Sequence, residues 1–231
     1  MRKSWWKLLS VVLLAYAVIG GFLLPVPKIP QLQETIRNLY YHVCMWFAMM
    51  ILFTTSVVYS IKYLRTLNAE YDIRAKEFAA VGLVMGLLGY ATGAIWAAYT
   101  WADPNNPAYA SFGSIAREPK LIGAAMAILV YFAYFILRDS VTDMDKRARV
   151  SAVYNIFAYA MLFPSIWIVP RLLPSLHPGQ EGNPALNFND IDARMRMVFY
   201  PAVIGWTLLG VWIATLRIRL HILSEKKWSN A

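Results

Sequence analysis

His42, His177 and His221 are the only imidazoles in the chain, and no serine and acid are ordered with them as hydrolysis would require. A histidine in or beside lipid is costly without a partner, and imidazole is a common axial ligand of haem iron. His42 and His177 fall at about the same depth on one side of the apolar segments, where two rings can clamp one iron from both faces. The plain alternative for each is an interfacial histidine hydrogen-bonded to a backbone carbonyl. His221 falls on the opposite side, in a basic tail.

A second group lies at the end of the third apolar segment, where Trp96, Tyr99 and Trp101 run into Asp103, with Tyr109 and Phe112 beyond. Aromatic rings stack offset or edge-on, so such a cluster suits a flat macrocycle. It equally suits the aromatic belt of a membrane interface. Arg117, Lys120, Arg171, Arg194 and Arg196 follow on the same side. The arginine fork fits a propionate, a lipid headgroup, or the nearby Glu181, Asp190 and Asp192.

These side chains need elements that place them, and composition names the kind. In 231 residues, 59 % are hydrophobic and 15 % charged, with a mean hydropathy of +0.46, which describes an integral membrane protein rather than a soluble domain. The net charge of +9 sits in short runs between apolar segments, so it marks membrane loops and not a nucleic-acid partner. A single cysteine, Cys44, excludes an internal disulfide and thiol redox chemistry. No phosphate-binding glycine loop and no paired carboxylates within a span occur, which argues against ATP-driven chemistry.

About 20 apolar residues cross a hydrocarbon core of about 30 Å, and six segments qualify: Trp5–Leu24, Leu39–Leu64, Phe78–Trp101, Leu121–Leu137, Val150–Val169 and Met197–Leu216. Lipid forces each to be a helix, since an unpaired amide there has no water to bond. The first has no small-residue cleavage site and reads as a retained span rather than a signal peptide. The expected fold is therefore one all-α membrane domain over 1–231, with six transmembrane helices and both termini on one side. Fifteen of the 22 lysines and arginines lie on the side of the termini, so both termini are expected to be cytoplasmic. The loops there, Arg65–Glu77 and Asp139–Arg149, read as short turns that fix topology, their helix starts supplied by residues such as Asp72 and Asp143. The outer connections, about 25–38, 102–120 and 170–196, are longer and carry the candidate site. In the first of them Pro25, Pro27 and Pro30 forbid a helix, and the stretch from Gln31 to Asn38 can form a short one with Leu32 and Ile36 on one side.

The chain resembles the haem-handling C subunit (CcmC) family of system I cytochrome c maturation over nearly its whole length. The likeness rests on Tyr41-His42-Val43 with Trp46, on Thr92-Gly93-Ala94-Ile95-Trp96-Ala97, on Ser175-Leu176-His177-Pro178-Gly179, and on six spans. The resemblance implies a haem b held at the outer face of a bacterial inner membrane, with His42 and His177 as axial ligands. It implies that a tryptophan-rich loop lies along the porphyrin, here Trp96, Tyr99, Trp101 and Asp103; Trp46 is counted with them as cofactor-binding, and the outer-face arginines Arg117 and Arg171 are read as holding the propionates. It also implies transfer to a periplasmic haem chaperone beside ABC-type transporter subunits and a small membrane subunit, and no turnover chemistry. The family's tandem tryptophan is absent here: either Trp101-Ala102-Asp103 ends the motif, or Glu118-Pro119-Lys120-Leu121 stands where the pattern opens span four. Two other classes remain open, a b-type haem electron-transfer subunit and a haem-free membrane scaffold.

Overall fold

The computed structural model describes residues 4–30, 32–101, 113, 116–168, 172–173 and 191–229, with no side-chain description from 225 onward. Among the described residues all regular structure is helical, and six helices are long and apolar enough to cross a membrane. They are α1 (Trp5–Leu23), α2 (His42–Thr66), α3 (Ala69–Thr100), α4 (Pro119–Ser140), α5 (Met144–Leu162) and α6 (Ala193–Ser229). A short 3₁₀ segment, Gln33–Tyr40, leads into α2. The last turn of α5 widens into a π-helical stretch, Phe163–Ile168, where Pro164 has no amide to offer the α ladder.

The six expected spans all appear, but α3 is longer than hydropathy suggests. It begins at Ala69, not near Phe78, because Asn68 caps it by accepting from the Glu70 amide at 2.9 Å. The preceding Leu67, at φ 55°, closes α2 in the left-handed region, so the turn is only two residues long. The stretch Arg65–Glu77, expected as a loop, is thus mostly helix. Asp143 caps α5 as expected, accepting from the Lys146 amide at 2.7 Å. Asp72 does not cap; its carboxylate receives both terminal nitrogens of Arg138 on α4, Nη1 at 2.7 Å. Glu70, Asp72, Arg74, Lys76 and Glu77, which hydropathy assigned to a loop, are carried on α3 and each finds a partner there or on a neighbouring helix.

Helices in lipid gain little from the hydrophobic effect against one another, so close packing and polar contacts decide who neighbours whom. The most extensive pairing is α2 with α3. Four glycines on α3, at 82, 86, 89 and 93, face Phe53, Met49, Trp46 and His42 of α2 in antiparallel register. The 4-3-4 spacing on both helices keeps each pair on one seam. The helix α6 fits between α1 and α2 in the same manner: Gly205 lies against Leu13 and Leu14, and Gly210 against Leu52. Ser10 of α1 adds a buried hydrogen bond to the Gly205 carbonyl, 3.1 Å. On the other flank Phe53 stacks on Tyr131 of α4 with centroids 3.5 Å apart. Buried Asn155 of α5 donates to Ser56 and Ser60 of α2 at 2.7 and 2.9 Å.

The 3₁₀ segment is tied to the end of α1 by one side chain. Arg37 donates from Nη1 to the carbonyls of Gly21 and Leu24, at 2.6 and 2.8 Å, satisfying acceptors that a helix end leaves open. Its Nε pairs with Glu34 at 2.6 Å. Gly21 in turn leaves room for Tyr40, whose ring stands 3.1 Å from where a Cβ would be. The start of α2, and His42 with it, is thereby held from below.

Candidate functional site

His42 is the first residue of α2, and its imidazole lies across the α2–α3 seam. Its Nδ1 lies 2.7 Å from the carbonyl oxygen of Gly89. A carbonyl only accepts, so Nδ1 is the protonated nitrogen in this contact, and in the neutral imidazole Nε2 then keeps its lone pair. Among the described residues no hydrogen bond engages Nε2. Trp46, one turn along α2, stands edge-on to the ring at 6.2 Å and 83°. The plain alternative, a histidine bonded to a backbone carbonyl, is therefore what the fold contains, and it leaves Nε2 without a hydrogen-bond partner among the described residues. An imidazole with one nitrogen anchored to a carbonyl and the other unengaged is the form that binds a metal. The residues present fit a haem iron.

One turn beyond Gly93, Trp96 points back toward the 3₁₀ segment, its Nε1 donating to the Thr35 carbonyl at 3.1 Å. Its ring packs edge-on with Trp101 at 5.7 Å and 78°. Asn38 reaches the Thr92 carbonyl at 3.4 Å, a second and weaker tie between the same elements. Tyr99 is 77 % exposed and makes no ring contact among the described residues. Arg117 is exposed as well. The fold thus gathers His42, Trp46, Trp96 and Trp101 at one end of the bundle, with Tyr99 on the periphery. Trp96 is an anchor for the interfacial segment, a role that counting tryptophans does not suggest. Asp103, Arg171 and His177, with Tyr109 and Phe112, lie outside the described residues.

Glu118 and Pro119 begin α4 at this same end, with proline in the first turn where its missing amide costs nothing. The Glu118 side chain is buried, and among the described residues its Oε1 has no hydrogen-bond partner. Arg194, weighed above as a propionate partner, is engaged by Asp192 at 3.0 Å. Its fork and amide hold the Asp192 carboxyl down to about 2.

At the opposite end His221 is not in a loose tail. It lies on α6, and its Nδ1 is 3.1 Å from Glu77, which also receives Arg217 at 2.6 Å. Glu77 is only 4 % exposed. A cleft of about 250 Å³ opens beside it, lined by Asp72, Lys76, Arg138, Asp145 and Arg147. Charges of both signs alternate around it. Among the described residues no cluster of three or more histidine, cysteine or carboxylate ligands is found.

The heme exporter protein C (CcmC) family model matches residues 2–231. The chain belongs to the heme exporter protein C family. It is similar to heme exporter protein C of Paracoccus denitrificans (strain Pd 1222), with 24 % identity over 205 residues that cover 89 % of this chain and 80 % of the relative. Membership in the heme exporter protein C family, together with six apolar helices, makes this a multi-pass membrane protein whose function is haem-related and belongs to cytochrome c maturation.

The residues that sequence reasoning missed are Gly89, Thr35 and Asn38, all of which act through backbone carbonyls or reach them. The glycine spacing 82, 86, 89, 93 is visible in the sequence and marks the seam. Nothing in the sequence says which ring the seam receives.

Proposed function

We propose that this protein binds haem b at the end of the bundle that holds His42 and passes it on as cargo, with no turnover chemistry of its own. His42 Nε2 is one axial ligand and His177 the other. Trp46, Trp96 and Trp101 supply apolar edges beside the iron ligand, and Tyr99 an exposed ring. Arg117 and Arg171 serve the propionates, and Asp103 closes the tryptophan run. The lysine and arginine distribution supports placing this end on the periplasmic face of a bacterial inner membrane with both termini cytoplasmic. The recipient is a periplasmic haem chaperone, and ABC-type transporter subunits and a small membrane subunit are the working partners.

The observation that supports this reading most is the His42 tautomer, with Nδ1 anchored to Gly89 and Nε2 unengaged. An electron-transfer subunit would hold its haem between histidines stacked within the spans. Here the described span histidines, His42 and His221, are at opposite ends: Gly93 beside His42 and Glu77 beside His221 are about 24 Å apart along α3 at 1.5 Å per residue. The test is the optical spectrum of purified protein. A six-coordinate haem signal lost in His42→Ala and in His177→Ala, and retained in His221→Ala, is expected. A wild-type signal that survives both of the first two substitutions refutes the ligand assignment.

A further inference from the structure

His42 sits at the crowded start of α2, and two features of α3 decide its orientation. The first is the Gly89 carbonyl, which accepts a hydrogen bond from Nδ1 at 2.7 Å. The second is the absence of a side chain at Gly93. A Cβ built there would overlap His42 Cε1 and stand 2.7 Å from Nδ1 and 3.1 Å from Nε2. Imidazole has only two short torsions to the backbone, so it cannot yield as a long side chain would. An alanine at 93 must turn the ring off its carbonyl. At Gly89 a Cβ would stand 3.2 Å from Trp46 Nε1 and Cε2, a tight contact that the indole would have to relieve by a small shift.

Thr92 Oγ1 has one proton, directed to the Leu88 carbonyl at 2.7 Å with the Gly89 oxygen a longer contact at 3.1 Å, so His42 Nδ1 makes the shorter side-chain bond to that oxygen.

We propose that Gly89 and Gly93 are the positioning residues of the His42 ligand. Gly93 admits the ring, the Gly89 carbonyl selects the Nδ1–H tautomer, and Nε2 is presented as the ligand atom. This deepens the haem-binding reading and rests on it only for its haem measurements.

The haem-free measurement uses protein labelled with ¹⁵N-histidine, in which the imidazole shifts report the tautomer of each ring directly. Wild-type His42 is expected as Nδ1–H, and Gly93→Ala as a mixture or as Nε2–H. A wild-type Nε2–H ring overturns the proposal whether or not the protein binds haem. With haem present, Gly93→Ala is expected to bind roughly 10- to 100-fold more weakly, the usual loss when a ligand's supporting contact is removed. Gly82→Ala is the control, because its Cβ meets Phe53 at 2.7 Å on the same seam but far from His42. Equal losses in both variants make Gly93 a packing residue and overturn the proposal. If wild type binds no haem yet shows the Nδ1–H ring, displaced in Gly93→Ala, the positioning stands and the haem-binding reading falls.

Discussion

At its Glu77 end α3 buries carboxylates against cations of α4 and α6, whereas at its His42 end it presents glycines, a carbonyl and an indole nitrogen. Both ends put polar groups where water is scarce. The Glu77 end answers by saturation: Asp72 takes a two-pronged bond from Arg138, and Glu77 takes Arg217 and His221. The His42 end answers by choosing a group that is neutral and half satisfied. A saturated cluster of opposite charges holds helices together. A ring with one nitrogen bonded and one left open has something to offer a ligand. The same contrast separates the two histidines, since His221 is spent on a carboxylate and His42 is not.

This comparison breaks if the two ends can exchange roles under mutation. The largest expected effect is for Asp72→Ala, which strands the Arg138 guanidinium at about 5 % exposure. Removing one partner of a buried pair costs about 3–5 kcal/mol, so the melting temperature in detergent is expected to fall steeply while the haem spectrum at the far end keeps its form. A spectral change of the size seen in His42→Ala would mean that the two ends are not separable. A smaller effect is expected from Trp96→Phe, which deletes the Nε1 bond to Thr35. A neutral hydrogen bond of this kind contributes about 1 kcal/mol. Hydrogen exchange at Gln33–Tyr40 should rise, with little change in global unfolding. Protection unchanged in that segment would remove Trp96 as its anchor.

The smallest effect concerns acid. The Asp192 carboxyl is held down to about 2 by the Arg194 side chain and amide at the start of α6. A depressed carboxyl contributes stability that is present above its unfolded value, near 3.9, and is lost as pH falls through the folded one. The first turn of α6 is therefore expected to stay intact down to about pH 2, and Asp192→Asn to exchange its Arg194 amide faster at neutral pH. Fraying in the wild type already at pH 4 would contradict this.

Much of the fold was legible in the chain because lipid leaves few options. A run such as Trp5–Leu23 can only be a helix, and the observed α1 agrees with the expected span to within one residue. The starts of α3 and α6 were not legible. Hydropathy reads Glu70, Asp72, Arg74 and Glu77 as loop, while the fold pairs Glu70 with Arg74 along α3 and Asp72 and Glu77 with cations of other helices, and lets α3 run 32 residues. In the candidate site, His42 was legible as an imidazole at the edge of a span. Its tautomer was not, because a backbone carbonyl 47 positions away has no signature of its own.

By itself the sequence determined the number of spans, the membrane setting, the family motifs and the side on which positive charge collects. Each follows from composition or local order, which no tertiary contact can reverse once lipid is the solvent. Only the tertiary structure decided that Gly93 faces His42 rather than lipid, that the Gly89 carbonyl accepts the Nδ1 hydrogen bond, that Trp96 anchors a neighbouring segment, and that His221 belongs to Glu77. These depend on the rotation and register of α2, α3 and α6 about their axes. In a membrane that register is set by how glycines and large side chains interlock across helices, and a one-dimensional pattern records only half of each pair.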